Sequence, residues 1–301
     1  MTGSAPAVLT RETGATPATA STTPSSVPST AAVTAPLNFI VPQTEKPVLE
    51  SSALTGGAPR ELFATEAREV DILDLRPLAE SFSLDREGFV LRPAPTAVDD
   101  LYDDRAVEAV YYPEIEALLK HELGASRVAI FDATRRSDAA AGAANRDGAR
   151  GPAGRVHVDY TAVSGPRRAA DVLGEAEVAR LTAKGARIVQ VNVWRPIRGP
   201  VRRAPLALAD AASVRPGALV ATDQVFPDRV GEIYHLAHEP GQRWFYAPEM
   251  TRDEVLLIKG WDSLDDGRAR FTPHSAFALP QQRSDTPPRE SIEIRTFAVI
   301  E

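Results

Sequence analysis

His157 and Asp159, one residue apart, carry the first chemistry in this sequence. They lie in Arg155-Val-His-Val-Asp-Tyr-Thr161, where apolar and polar residues alternate with the period of a half-buried strand. Side chains at i and i+2 of a strand share a face, so the imidazole and the carboxylate aim at one point. Such a pair is two-thirds of a 2-His-1-carboxylate triad, the ligand set that holds non-haem Fe(II) and leaves positions open for substrate and O2. Most His-x-Asp pairs are surface or structural features. This one gains meaning only with a distal histidine and a cosubstrate anchor downstream.

The search is short, because the chain has five histidines and no cysteine. The absence of cysteine excludes disulfides, thiolate metal sites and cysteine nucleophiles. His274, in Phe271-Thr-Pro-His-Ser-Ala-Phe277, fits the distal ligand best, because it sits just past the penultimate strand candidate. His235 and His238, in Glu232-Ile-Tyr-His-Leu-Ala-His238, compete for the role. His121 falls in the last turn of a predicted helix, where it complements the helix dipole.

An iron site that uses 2-oxoglutarate needs a cation for the remote carboxylate, and the planar fork of arginine suits it. Arg289 and Ser291 stand one pleat apart at the entry to the last predicted strand, and Arg295 falls on the same face further along. Solvated edge residues would look the same in isolation; their order after His157, Asp159 and His274 favours the anchor. Asn192 and Trp194 share one face of a central strand candidate and could line a pocket. Arg195 could meet an acidic substrate, and Lys259 ends an apolar strand. For these four, pocket lining and structural use are balanced. Tyr160 points away from the iron face and is expected to pack.

The elements that must position these residues are mostly strands. Candidates are 69–75, 88–91, 127–131, 188–193, 205–208, 218–222, 232–237, 243–246, 255–259, 268–273 and 290–300, separated by turn signals. So many short strands predict a mainly β, closed or double-sheet architecture with flanking helices, not a βαβ fold. Residues 103–123 predict a helix broken at Pro113 and capped by Gly124, and 165–183 predict an amphipathic helix. Residues 133–154 read as a loop before the His157 strand, placed to act as a mobile lid. Residues 1–36 are rich in Ala, Thr, Ser and Pro and read as a disordered tail without a secretory signal; 37–301 read as a single domain.

The formal net charge of −7 and the pI near 5.4 exclude the basic face that a nucleic-acid partner requires. No apolar run is long enough to span a membrane. A cytoplasmic protein acting on a small molecule is expected. No G-x-S-x-G string supports a hydrolase. Two other readings stay open: a jelly-roll iron oxygenase that does not use 2-oxoglutarate, and a non-catalytic β-barrel that binds a small ligand.

Several strings occur together and in order: Val156-His-Val-Asp-Tyr-Thr161, Asn192-Val-Trp-Arg-Pro196, Pro205-Leu-Ala-Leu-Ala-Asp210, Arg243-Trp-Phe-Tyr246, Trp261-Asp-Ser263, Pro273-His-Ser-Ala-Phe277 and Arg289-Glu-Ser-Ile-Glu-Ile-Arg295. From about Asp85 to Glu301 the chain resembles the fungal and bacterial hydroxylase/desaturase family. That family includes gibberellin desaturases, the aspergillic-acid-cluster hydroxylase/desaturase and the cephamycin 7α-hydroxylation component. The resemblance implies a jelly-roll (double-stranded β-helix, cupin-like) scaffold. It implies Fe(II)/2-oxoglutarate-dependent oxidation of small molecules, mostly in secondary metabolism and antibiotic biosynthesis. It supports His157, Asp159 and His274 as ligands and Arg289 as the anchor.

Overall fold

Strand alternation begins inside the stretch expected to be a tail. The computed structural model of the protein describes residues 1–3 and 32–301, apart from 147 and 284. Ala35, Leu37 and Phe39 turn inward and are buried, while Thr34, Pro36 and Asn38 face solvent. Residues 32–36 therefore belong to a strand, which includes five residues before the expected Leu37. Pro36 is tolerated because this strand is an edge of its sheet. The remainder of the expected tail, 4–31, lies outside the described residues.

In chain order the first half comprises β1 (Ala32–Ile40), β2 (Val48–Glu50), α1 (Ser52–Thr55), β3 (Arg60–Glu61), β4 (Thr65–Asp74), β5 (Phe89–Pro93), α2 (Asp104–Ala106), α3 (Tyr112–Leu123), β6 (Arg127–Ser137) and β7 (His157–Val158). The second half comprises α4 (Ser164–Leu173), α5 (Glu175–Ala183), β8 (Arg187–Arg198), β9 (Leu206–Ala209), β10 (Leu219–Val225), β11 (Val230–Leu236), β12 (Trp244–Tyr246), β13 (Glu254–Asp262), β14 (His274–Ala276) and β15 (Glu290–Ile300). They form a ten-stranded sheet, β1-β4-β12-β9-β14-β7-β11-β10-β2-β3, and a five-stranded sheet, β5-β13-β8-β15-β6. The fold is the expected jelly roll. Among the described residues no helix is long and apolar enough to cross a membrane.

The helices follow their sequence signals with two adjustments. Pro113 lies in the first turn of α3, as expected for a proline that opens the second piece, and the unexpected feature is a π-helical stretch, Val107–Tyr111, between α2 and α3. Gly124 caps α3 at φ 65°, and His121 lies in the last turn. The single helix expected over 165–183 is two, because Gly174 at φ 93° breaks it.

Two expectations about loops are corrected. The lid expected at 133–154 begins as strand: β6 continues to Ser137 because Ala133 to Ser137 pair with Ile294 to Glu290. Its arginines are accommodated by partners, Arg135 donating Nε–H to the Leu101 carbonyl at 2.7 Å. Conversely, 268–273 forms no strand. Arg268 and Arg270 pair with Asp266 and Asp265, and the Ala269 carbonyl accepts a hydrogen bond from Lys259.

The largest core cluster packs Val189, Val191 and Val193 of β8 with Ile292 and Ile294 of β15 against Tyr111, Ile115 and Leu119. This leaves the alternate residues of both strands facing the ten-stranded sheet. Gln190, Asn192 and Trp194 of β8 share that inner face with Glu293 and Arg295 of β15, register pairing Asn192 with Arg295 and Trp194 with Glu293.

Candidate metal centre

β7 is only two residues long but lies between β14 and β11, so His157 is the direct cross-strand neighbour of both His274 and His235. The His157 and His274 rings lie 4.6 Å apart. Just after β7 the chain turns: the Ser164 hydroxyl accepts from the Thr161 N–H at 2.9 Å, and the Thr161 hydroxyl accepts from Ser164 N–H at 3.0 Å. That turn starts α4 and fixes Asp159 beside His157. One donor atom each from His157, Asp159 and His274 lie within 4.8 Å of one another, the one such group among the described residues.

The donor atoms are prepared for a cation. His157 Nδ1 lies 2.9 Å from the Arg155 carbonyl, and His274 Nδ1 lies 3.0 Å from the Thr272 carbonyl. A carbonyl only accepts, so Nδ1 is the protonated nitrogen in each ring and the Nε2 lone pair is free. Burial, followed by the neighbouring His157, lowers the pKa of His274 to about 4. Asp159 Oδ2 accepts from Asn192 Nδ2 at 2.7 Å and from Arg295 Nε at 3.0 Å. Its other oxygen faces His157 Nε2 at 3.5 Å. Burial alone would raise the Asp159 pKa; Arg295 and the two histidines outweigh it and hold the carboxylate well below its usual range.

Arg295 binds three carboxylates: Asp159 at 3.0 Å, Asp132 at 2.5 Å and Glu293 at 2.6 Å. Burial raises the Glu293 pKa against the opposing pull of Arg295. The guanidinium therefore fixes Asp159 in place without occupying the Oδ1 that faces the two imidazoles. Two imidazoles and one carboxylate suit Fe(II) with open positions.

The predicted residues divide into those gathered here and those kept apart. Arg289 is buried and borders a cavity of about 20 Å³ with His157, His274, Trp194, Glu293 and Arg295. Its Nη1 donates to the Ala204 carbonyl at 2.8 Å, whereas its buried Nε has no partner among the described residues. Burial lowers its pKa to about 10, with Arg136 adding to the effect. Ser291 is buried one pleat away, its hydroxyl 3.5 Å from the Arg136 carbonyl. Trp194 lies under Arg289, the guanidinium 5.7 Å from its ring. Asn192 reaches the site only through Asp159. Arg295 is committed to its three acids and so positions a ligand rather than presenting a free fork.

Arg195 and Lys259 are not brought to the site. Arg195 is on the opposite face of β8, stacked 5.0 Å over Tyr111 and bonded to its hydroxyl at 2.8 Å. The odd-numbered positions of β8 face the helices, which is why it cannot meet a substrate between the sheets. Lys259 is fully buried between Asp85 at 2.7 Å and Asp262 at 2.9 Å. The competing histidines are also placed elsewhere. His235 turns Nδ1 to the Thr222 hydroxyl at 3.0 Å, and His238 packs edge-on against Phe39 at 5.1 Å.

Four contributors are absent from the sequence reading: Glu293, Asp132, Arg136 and Gln190. Glu293 had a signal, since it falls between Ser291 and Arg295 on the alternating face. Gln190 holds Asn192, donating to Oδ1 at 2.6 Å, and a Cβ at Gly260 would lie 2.0 Å from the Gln190 Oε1. The glycine there makes room for that side chain. Outside the small cavity, a larger one of about 310 Å³ runs along β6, walled by Tyr112, Phe131, Asp132, Thr134 and Asn145.

Residues 37–299 match a family model described as an oxidoreductase/YMDC permease-like domain. The hydroxylase/desaturase efuI of Hormonema carpetanum is 34% identical over 268 residues, covering 82% of this chain and 88% of the relative. The Fe(II)/2-oxoglutarate-dependent dioxygenase nvfI of Aspergillus novofumigatus is 30% identical over 247 residues, covering 79% and 86%. Among solved structures, the iron and alpha-ketoglutarate-dependent endoperoxidase NvfI aligns with a TM-score of 0.78 at 27% identity, over 89% of this chain and 97% of that one. The chain belongs to the hydroxylase/desaturase family of Fe(II)/2-oxoglutarate-dependent oxygenases. It is an oxidoreductase whose cofactor is Fe(II) and whose cosubstrates are 2-oxoglutarate and O2.

Proposed function

We propose that this oxygenase hydroxylates or desaturates a small molecule in natural-product biosynthesis, with Fe(II) held by His157 Nε2, His274 Nε2 and Asp159 Oδ1. The observation that carries the assignment is the convergence of the three donors within 4.8 Å, both Nδ1 atoms being tied to carbonyls. Arg289, with Ser291 beside it, binds the remote carboxylate of 2-oxoglutarate. Its buried Nε without a partner supports that role.

When bound, the iron supplies the oxidation of a C–H bond coupled to decarboxylation of 2-oxoglutarate to succinate. The chain's own residues supply orientation. Asn192 and Arg295 hold Oδ2 of Asp159, so one oxygen faces the metal position. Trp194 and Leu206 keep the inner cavity dry. The larger cavity beside β6 is linked to the site through Asp132, which pairs with Arg295, and its volume is at the lower end of the range for small-ligand sites. Action in the cytoplasm is in keeping with the formal net charge of −7.

The test is 2-oxoglutarate turnover. His157→Ala and Asp159→Ala are expected to abolish iron-dependent succinate formation. Wild-type turnover in either variant removes the ligand assignment.

A further inference from the structure

The connection between Arg136 and Arg289 is the feature that the iron ligands and the anchor leave unused. Arg136 sits on β6 opposite Ser291 of β15, and Arg289 lies one pleat before Ser291. Both guanidiniums border the small cavity that holds His157 and His274. Among the described residues neither takes part in an ion pair, whereas their neighbour Arg295 takes three. The Arg136 side chain makes one hydrogen bond, from Nη1 to the Gly151 carbonyl at 2.9 Å. Two guanidiniums without ion-pair partners on one cavity repel each other, and burial followed by Arg136 depresses the pKa of Arg289 although Asp138 and Glu293 pull the other way. Glu293 offsets part of this charge, but its carboxylate is paired with Arg295 at 2.6 Å.

Resting on the assignment of Arg289 as anchor, we infer that Arg136 is a second cationic contact for the dicarboxylate cosubstrate, closing over it from β6. With the keto-acid end of the diacid on the metal, the remote carboxylate has two oxygens to satisfy, and two guanidiniums on the same cavity wall can share it. The cavity's size points the same way. At about 20 Å³ it holds little more than one water, far less than a five-carbon diacid. Most of its wall is locked: Trp194, Leu206, His274 and Arg289 are buried, and Arg295 is held by its acids. Arg136 is half-buried and tethered by one carbonyl, so it is the wall that yields at least cost. It swings out to admit the diacid and returns to pair with it, a role that a fork-shaped cation on a long stem can fill.

The experiment uses full-length protein loaded with Mn(II) and titrates N-oxalylglycine, an unreactive dianionic analogue of 2-oxoglutarate, with binding read by calorimetry. Arg136→Gln is expected to weaken the analogue at least tenfold, Arg136→Lys to restore part of that loss, and both to bind Mn(II) as the wild type does. Arg289→Gln is expected to weaken it further. Wild-type affinity in Arg136→Gln together with a loss in Arg289→Gln overturns the role of Arg136 and leaves the anchor intact. Wild-type affinity in both variants means that the anchor reading itself has failed. Loss of Mn(II) binding in Arg136→Gln makes Arg136 a support of the metal site, which also overturns the inference.

Discussion

Arg295 donates its Nε–H to Asp159 Oδ2 at 3.0 Å, and through that bond the five-stranded sheet steadies an acid carried on the other sheet. The same guanidinium spans Asp132 and Glu293, so its position is set from three sides. Removing it should free Asp159 to rotate and leave Glu293 without its counter-ion. Arg295→Met is expected to weaken Mn(II) or Fe(II) binding by about tenfold to a hundredfold, as loss of outer-sphere partners does. Metal titration by calorimetry checks it, and an unchanged affinity would show that Asp159 is held by other means.

Asn192 offers a milder version of the same experiment. Its amide donates to Asp159 Oδ2 and accepts from Gln190, and Asn192 and Gln190 are fully buried. Asn192→Ala leaves Gln190 unsatisfied and should cost about 1–3 kcal/mol of stability. Metal affinity should fall less than in Arg295→Met, because the ion pair remains. Chemical denaturation alongside metal titration separates the two effects.

Lys259 separates a structural charge from a substrate-binding one. It is buried with Asp262, and Arg187 shares Asp262 at 2.6 Å. Breaking a buried, hydrogen-bonded pair by removing one partner costs about 3 kcal/mol or more. Lys259→Met should therefore lower the midpoint of urea unfolding while leaving kcat and the 2-oxoglutarate requirement unchanged. A raised KM for substrate at full stability would return Lys259 to the substrate site.

His235 predicts a pH dependence. Burial, then His157 and Arg155, lower its pKa from 6.5 to about 3. The unfolded chain binds the proton below pH 6.5 and the folded one does not, so folding loses stability as pH falls through that window. Between pH 7 and pH 5 the loss attributable to this group is about 2 kcal/mol. His235→Gln should flatten the pH–stability curve between these values relative to wild type. A slope equal to that of the wild type would place the acid sensitivity elsewhere.

The residues legible in the sequence were those whose strand period fixed their face. His157 with Asp159, and Arg289 with Ser291 and Arg295, are i, i+2 sets, and each set does share a side. Alternation also separated Asn192 and Trp194 from Arg195, although it could not say which face looked between the sheets. What stayed hidden depends on register between distant strands. Asp132 and Arg136 gain their meaning from facing Arg295 and Ser291 across β6 and β15, more than 150 residues apart in sequence. Lys259 is uninterpretable without Asp85, which comes from a different part of the chain. The first strand was obscured by composition: Ala, Thr and Pro mask an alternation that only the buried faces of Ala35 and Leu37 make evident.

The most direct test of the site is an anaerobic titration of the Fe(II) protein with 2-oxoglutarate, following the weak visible charge-transfer band of the chelate. The wild type should develop the band, Asp159→Ala should develop none, and Arg289→Ala should require far more 2-oxoglutarate to reach it. A band of wild-type intensity and affinity in both variants would contradict the assignment of iron and cosubstrate to these residues.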